Sequence, residues 1–258
     1  MKIGIITDIH EDAERLDKAV KIIEKNNSDI IICLGDISGF DDRFYSYRFS
    51  RNLSYCIDLI KNNCKIIIPG NHDLNHLKWL PKYNTVFHFP ENWYELNAKE
   101  KKKVSNGLVW IYEHDLPIED DSNFRDLLIN YYHYYILEAD NFKLFFSHSI
   151  YPDLSGFITK KPVKSKSYLE HFKFINSFSC KIGFSGHLHP NGLFRIDERK
   201  DYHPKFAEVE LTTDKNIQFI CPCIADGIQD NGFTIVDTTA RTIEAIPLRT
   251  PRHHSFLL

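Results

Sequence analysis

The sequence has no long apolar run. None of its hydrophobic stretches approaches the roughly 20 residues that a membrane-spanning helix needs. The opening decapeptide, MKIGIITDIH, has only a short apolar stretch, which an acidic residue and a histidine follow at once, so it is not typical of a signal peptide. We therefore expect no membrane partner and a cytoplasmic location.

An excess of basic residues is also absent. The 32 Lys and Arg residues are balanced by 35 Asp and Glu residues, which gives a formal net charge of −3. Nucleic-acid-binding proteins usually carry a basic excess, so a nucleic-acid partner is not favoured. Hydrophobic residues make up 43% of the 258 residues, which is enough for one substantial core and argues against disorder. We expect a single domain over residues 1–258.

The cysteines form no paired motif. Cys221 and Cys223 are separated by one residue, which is the wrong spacing for the CxxC of zinc ribbons and redox proteins, and no second pair accompanies them. The sequence therefore favours reduced, structural thiols in this chain.

Strands and helices alternate over the first 68 residues. Apolar runs rich in β-branched residues predict strands at 3–7, 29–34 and 65–68, and apolar residues at helical spacing predict helices at 11–26 and 49–62. This alternation indicates parallel strand pairing. Further strands are predicted at residues 134–139, 143–147, 181–185, 217–220, 233–236 and 243–246.

Residues 74–133 lack this periodicity. The segment carries Trp79, Trp93 and Trp110, and we predict that it is an irregular insertion or cap. Such a segment either selects the substrate or only shields the core. The aromatic residues 131–135 could stack on a base or a sugar, although aromatic runs are more often buried packing.

Metal-binding residue types follow five of the predicted strands. In an open α/β sheet the binding crevice lies beyond the carboxyl ends of the strands, so these side chains are expected to converge. A single such residue has a simpler explanation, since Asp8 alone could cap the helix that follows it, but five coincidences indicate a site. The residues are Asp8, His10, Asp36, Asn71, His72, Asp73, His148, His187 and His189. Histidines outside these motifs are interpreted as surface or packing residues; they include His76, His88, His114, His133, His171 and His203.

The donor types constrain the cofactor. Imidazole, carboxylate and amide oxygen without thiolate suit Mn, Fe, Zn, Ni or Co better than Ca or Mg. The donors are too many for one tetrahedral ion and fit a pair of ions that shares a bridging carboxylate. Two divalent ions against two carboxylates and one hydroxide leave about one positive charge, which suits a bound phosphate anion.

The motifs DxH, GD, GNHD, H and GHxH occur in this order between Asp8 and His189 and resemble the calcineurin-like metallophosphoesterase superfamily. The resemblance implies a four-layer α/β/β/α sandwich and two divalent transition-metal ions, with Mn the first choice. It implies that one ion is bound by Asp8, His10, Asp36 and His189. The other ion would be bound by Asn71, His148 and His187, with Asp36 bridging the two.

The same resemblance implies roles for the two remaining residues of the GNHD motif. His72 would protonate the leaving oxygen, Asp73 would orient the imidazole, and a metal-bridging hydroxide would be the nucleophile. Pro69 precedes the motif, whereas Ser/Thr protein phosphatases of the superfamily carry Arg there, which disfavours a protein-phosphatase function.

The leading functional prediction is hydrolysis of a small phosphomonoester or phosphodiester, with nucleotides among the candidates. A fold that has lost catalysis is the alternative from another class, but such relatives typically lose ligands and this chain keeps all seven. A nuclease would need a basic groove or a dimerisation element, and the sequence indicates neither. The substrate and the oligomeric state are left open.

Overall fold

The structure is a computed structural model that describes residues 1–118, 121–159, 168–227 and 229–249. Its strands are β1 Lys2–Ile6, β2 Ile30–Cys33, β3 Cys64–Ile67, β4 Tyr134–Ala139, β5 Phe142–Ser147, β6 Ile182–Ser185, β7 Phe194–Asp197, β8 Glu208–Glu210, β9 Ile217–Ile220, β10 Gly232–Asp237 and β11 Thr242–Pro247. Its helices are α1 Ala13–Lys25, α2 Leu53–Asn63, α3 Asn71–His76, α4 Ala98–Val104, α5 Asp121–Leu128 and α6 Leu169–Asn176, with a 3-10 helix at Trp93–Glu95.

The strands form two mixed sheets. The first has the order β3-β2-β1-β10-β11-β8, and the second has the order β4-β5-β6-β9-β7. Strands β1, β2 and β3 are parallel neighbours, as are β5, β6 and β9, so the parallel pairing predicted for the first half is confirmed. Each set of parallel strands therefore brings its carboxyl ends, and the polar residues beyond them, to one edge of its sheet.

The sheets pack face to face through alternate residues of their strands. Ile3 and Ile5 of β1 face Leu144 and Phe146 of β5 in one buried cluster between the sheets. Each such side chain contributes about 1.5–3 kcal/mol to the stability of the fold when it is fully buried. Helices α1 and α2 cover the outer face of the first sheet, and α6 covers the outer face of the second. The four-layer α/β/β/α sandwich is confirmed.

Helix α1 sits close to β1 because of a glycine and a local cap. A Cβ atom on Gly4 would lie 2.5 Å from Cγ2 of Ile23, so only glycine lets the helix approach the strand this closely. The helix begins where the Asp12 side chain accepts a hydrogen bond from the Arg15 amide at 3.2 Å. Asp12 is thus the cap, and the capping alternative for Asp8 is wrong.

The segment 74–133 is less irregular than its sequence pattern indicates. It contains the 3-10 helix, α4 and α5, and it has a small core of its own around Leu74, Trp93 and Val109. These helices were not predicted because they are short and locally capped, as by the reciprocal hydrogen bonds of Asn97 and Glu100 at the start of α4. Strands β7 and β8 and helix α6 were also not predicted, and each has eight residues or fewer.

The aromatic residues 131–135, at the end of this segment, pack against neighbouring rings. Tyr131 stacks on Trp79 with ring centroids 5.6 Å apart, and Tyr134 stacks on Phe145 at 5.2 Å. Within the described ranges, no helix is both long and apolar enough to cross a membrane.

Candidate metal centre

Two clusters of metal-binding side chains lie where the parallel strands end. The first consists of Asp8, His10 and His189, and the second of Asp36, His148 and His187. Within each cluster the donor atoms lie within 4.8 Å of one another. The two clusters are adjacent, since the Asp8 carboxylate of the first accepts hydrogen bonds from the His187 amide of the second and interacts electrostatically with His148 and Asp36. Within the first cluster, Nε2 of His10 lies 3.4 Å from Nε2 of His189.

Asn71 joins the second cluster. Its Oδ1 lies 3.1 Å from Nε2 of His148, and a Cβ atom on Gly156 would lie 2.9 Å from the same oxygen. Nε2 of His148 also lies 3.2 Å from Oδ2 of Asp36. All seven predicted ligands are therefore brought together, although the geometry groups Asp36 with His148 and His187.

Backbone carbonyl groups fix the orientation of two imidazoles. Nδ1 of His10 lies 2.9 Å from the Gly39 carbonyl oxygen, and Nδ1 of His148 lies 2.6 Å from that of Leu34. A proton held on Nδ1 by the carbonyl leaves the lone pair on Nε2, which faces the cluster in both residues. This is the tautomer that a metal ligand needs.

The carboxylates are anchored as firmly. Asp8 accepts hydrogen bonds from the His187 amide at 3.1 and 2.9 Å and from the Thr7 hydroxyl at 2.9 Å. The first contact ties the end of β1 in one sheet to the end of β6 in the other. Oδ1 of Asp36 accepts from the His72 amide at 2.9 Å, which ties β2 to the turn after β3.

The backbone at the site is strained. Five of the seven predicted ligands have positive φ angles between 46° and 67°, a region that non-glycine residues seldom adopt: Asp8, His10, Asp36, His187 and His189. Such residues cost about 1–3 kcal/mol each and persist only where the surrounding structure holds them. Their concentration at the strand ends indicates that the fold is under constraint to aim these side chains at one place.

The electrostatics of the site favour bound cations. Burial alone would raise the pKa of Asp8, but the His189 imidazole outweighs it, and the pKa falls well below its usual range. The pKa of Asp36 is lowered in the same way, against burial, by His148. Burial lowers the pKa of His10 to about 4 and keeps it neutral, as metal ligation requires. Against burial, Asp36 raises the pKa of His148 to about 9 and Asp8 raises that of His189, so an ion bound by either imidazole would displace a proton from it. Buried, ionised carboxylates of this kind need positive charge nearby.

His72 lies beside the clusters without belonging to either. Its imidazole is 21% exposed, and its Nδ1 lies 2.6 Å from Oδ2 of Asp115. Burial opposes the charged imidazolium, but Asp115 and then Asp36 outweigh it and raise the pKa of His72 to about 9. A cationic imidazole next to the metal-binding residues can hold an anion and give up a proton.

The prediction that Asp73 orients His72 is corrected by this contact. Oδ1 of Asp73 accepts from the amides of Ile37 and Ser38 at 2.9 and 3.0 Å, and Oδ2 accepts from the Gly70 amide at 2.9 Å. Adjacent residues of a helix point about 100° apart, so a residue that caps the start of α3 cannot also face the His72 ring. Asp73 shapes the turn, and Asp115 contacts the imidazole.

Asp115 and His76 were missed at the sequence level. Nδ1 of His76 lies 2.9 Å from the Ser38 hydroxyl, and its Nε2 lies 3.9 Å from Oδ2 of Asp115. A signal existed for His76, because it follows His72 by one helical turn and shares its face of α3. No signal marked Asp115, which lies in an aperiodic loop.

The clusters open into a cavity of about 330 Å³. Five of the seven predicted ligands line one side of it: His10, Asp36, Asn71, His187 and His189. Cys223, which follows β9 and interacts with His189, also lines it. The rest of the lining includes an arginine and four aromatic residues: Arg43, Phe44, Tyr45, Trp110 and Tyr112. Buried, convergent imidazole, carboxylate and amide donors fit two divalent transition ions, and the cavity gives a substrate access to them.

Comparison with known structures shows the same fold elsewhere. A metallophosphoesterase from Sphaerobacter thermophilus is 17% identical, with a TM-score of 0.62, over 96% of this chain and 88% of the other. A hypothetical protein from Pyrococcus horikoshii OT3 is 12% identical, with a TM-score of 0.58, over 97% and 89%. At these identities the likeness concerns the fold. A search of curated proteins gave no match.

The family model described as calcineurin-like phosphoesterase matches residues 1–191. This range contains every residue of both clusters, together with His72 and Asp115. The chain belongs to the calcineurin-like phosphoesterase family.

Proposed function

We propose that the protein hydrolyses a phosphoester with two divalent transition-metal ions. The observation that carries this proposal is the pair of adjacent donor clusters, which face one cavity together with a cationic imidazole. One ion would be held by Asp8, His10, Asp36 and His189. The other would be held by Asn71, His148 and His187, with Asp36 shared between them.

When bound, the ions would supply positive charge against the phosphate and would lower the pKa of the attacking water, which makes it a better nucleophile. Manganese is the first ion to test, and Fe, Zn, Ni and Co follow, because imidazole, carboxylate and amide donors without thiolate suit all five. The protein's own part is to aim the seven donors, to exclude water from their carboxylates, and to move one proton. In the overall reaction, water forms a new P–O bond, the ester P–O bond breaks, and the alcohol leaves protonated.

His72 is the proton donor of this proposal. Its imidazole lines the cavity and lies outside both clusters, so Nε2 is free to face the leaving oxygen. Asp115 is a positioning residue, because it holds Nδ1 of the imidazole at 2.6 Å and balances its charge.

Metal content tests the proposal directly. Protein purified without chelator and reconstituted with Mn²⁺ should contain two ions per chain by elemental analysis and should hydrolyse nitrophenyl phosphoesters. Asp36→Asn removes the shared ligand and should lower the content to about one ion or less, together with activity. A reconstituted protein that holds no metal and hydrolyses no ester of a broad panel would overturn the proposal.

The role of His72 is tested by leaving-group dependence. His72→Ala should keep both ions and lower turnover by about 10²- to 10⁴-fold on esters with poor leaving groups. The loss should be smaller with nitrophenolate, which needs little protonation. His114→Ala, at a histidine whose side chain is 49% exposed, is the matched control and should change neither rate. Equal losses on both ester types would show that His72 binds the phosphate without donating a proton.

A further inference from the structure

The mouth of the cavity carries two aromatic rings that the fold leaves exposed. Phe44 is 44% exposed and Trp110 is 43% exposed, and both line the same cavity as the metal-binding residues. They come from separate segments of the chain, one after β2 and the other in the insertion between α3 and β4. Exposed rings at a functional cavity are candidates for contacts with a ligand.

The exposure of Trp110 distinguishes it from the other tryptophans. Trp79 stacks on Tyr131, and Trp93 is 1% exposed in the core of the insertion. The backbone of Trp110 is nevertheless fixed, since its amide donates to the Phe157 carbonyl at 3.0 Å. Its ring is therefore held at the cavity by an ordered segment, and core packing does not account for its position.

The segment that carries Phe44 is equally well fixed. Asp41 accepts from the Arg43 amide at 2.8 Å, and the Phe44 amide donates to the Asp41 carbonyl at 3.0 Å. The Arg43 guanidinium lies over the Phe44 ring, 5.4 Å from its centroid. One aromatic ring and one guanidinium plane are thus held next to each other, and both kinds of group stack on planar ligands.

The net charge of the cavity determines whether a singly or a doubly charged phosphate suits it better. Among the described residues that line it, Arg43 is the only Arg or Lys, and its Nε and Nη2 already contact the Asp41 carboxylate at 3.0 and 2.6 Å. The Asp115 carboxylate pairs with His72 in the same way, 2.6 Å from Nδ1 of the imidazole. Two divalent ions with two carboxylates and a hydroxide would add about one positive charge. One net positive charge matches a singly charged phosphate, that is, a diester.

We propose that the substrate is a phosphodiester that carries a planar ring system, and that Phe44 and Trp110 form the subsite for this ring. The inference rests on the proposed phosphoester hydrolysis. The cavity of about 330 Å³ has room for one ring system and its linker beside the phosphate.

The experiment compares two diesters that differ in one ring system. Adenosine 5′-methyl phosphate and ribose 5-methyl phosphate are both singly charged, and their hydrolysis by the Mn²⁺-loaded protein is followed by chromatography. The ring-bearing ester should have a kcat/KM about 5- to 150-fold higher, which is the factor that stacking of one base on an aromatic ring contributes to binding. Phe44→Ala and Trp110→Ala should each lower this ratio about 5- to 10-fold and leave the ribose ester within twofold.

Two exposed aromatic residues outside the cavity are the controls. Phe49→Ala and Tyr132→Ala, at residues 101% and 47% exposed, should leave the ratio unchanged. The charge argument is tested with the monoesters AMP and ribose 5-phosphate, which should have a lower kcat/KM than the corresponding diesters. Quenching of tryptophan fluorescence by adenosine 5′-methyl phosphate should weaken in Trp110→Ala and persist in Tyr132→Ala.

The outcomes separate the two proposals. Hydrolysis of both diesters at equal rates, or an unchanged ratio in both cavity variants, overturns the subsite while phosphoester hydrolysis stands. A higher kcat/KM for the monoesters overturns the diester assignment. Failure to hydrolyse any of the four esters or nitrophenyl phosphoesters overturns the proposed function itself.

Discussion

Replacing Asp115 with asparagine keeps the size of the side chain and removes its negative charge. The carboxylate lies 2.6 Å from Nδ1 of His72, and its side chain is 5% exposed, so water screens the contact only weakly. A hydrogen bond between charged groups contributes about 1.5–3 kcal/mol. If the transition state of proton transfer loses this stabilisation, turnover should fall about 10- to 150-fold.

The assay compares esters with poor and good leaving groups. Because Asp115 acts through His72, the loss should appear with an alkyl leaving group and shrink to less than about threefold with nitrophenolate. Asp115→Asn combined with His72→Ala should be no slower than His72→Ala alone, since the second change removes the group through which the first acts. Metal content should stay at two ions per chain in both variants.

A nearby carboxylate provides the control. Glu113→Gln removes a charge two residues away on the same loop, at a side chain that is 58% exposed, and should leave both rates unchanged. If Asp115→Asn slows both ester types equally, or if its effect adds fully to that of His72→Ala, Asp115 does not position the proton donor and the reasoning is refuted.

Two further predictions concern metal binding and acid stability. Gly156 has a φ of +83°, and a Cβ atom there would lie 2.7 Å from the His187 ring. Gly156→Ala should therefore lose about one metal equivalent by elemental analysis and keep its circular dichroism spectrum. Retention of two ions would contradict this. Burial lowers the pKa of His171 to about 4 against the opposing hydrogen bond to Gln218, so the neutral form stabilises the fold above pH 6.5, and this stability is lost as the pH falls toward 4. Urea unfolding should show that the loss of stability between pH 7 and 4 is up to about 3 kcal/mol smaller in His171→Gln than in the unchanged protein; equal pH dependence of the two proteins would argue against it.

The parts of the fold that the sequence predicted are those with a strong local pattern. The strands around Ile5, Ile32 and Phe146 are continuous apolar runs, and burial on both faces leaves them few other conformations. The predicted ligands could be placed because each follows such a strand within a few residues, and the ends of parallel strands lie at one edge of a sheet. The short helices α4 and α6 carry too few turns for an apolar stripe to stand out.

There is a physical reason why the sequence did not predict Asp115 as the partner of His72. Asp73 is its neighbour in sequence, but α3, for which Gly70 is the N-cap, turns the Asp73 carboxylate back onto backbone amides. Asp115 is 43 residues away, in a loop whose course depends on contacts such as the hydrogen bond from the Leu116 amide to the Phe40 carbonyl at 2.9 Å. Nothing local to Asp115 encodes that contact, and an acidic residue in a loop is usually solvated.

These contacts change how the insertion can be tested. We expected it either to select the substrate or to shield the core, and both alternatives leave hydrolysis to the strand ends. Under the proposed mechanism the insertion also supplies Asp115. A deletion that joins His76 to Tyr131 would therefore remove this positioning residue together with Trp110. Loss of activity in that deletion would therefore not distinguish the roles. Single substitutions do so, because Trp110→Ala should change the preference between substrates, whereas Asp115→Asn should change the dependence on the leaving group.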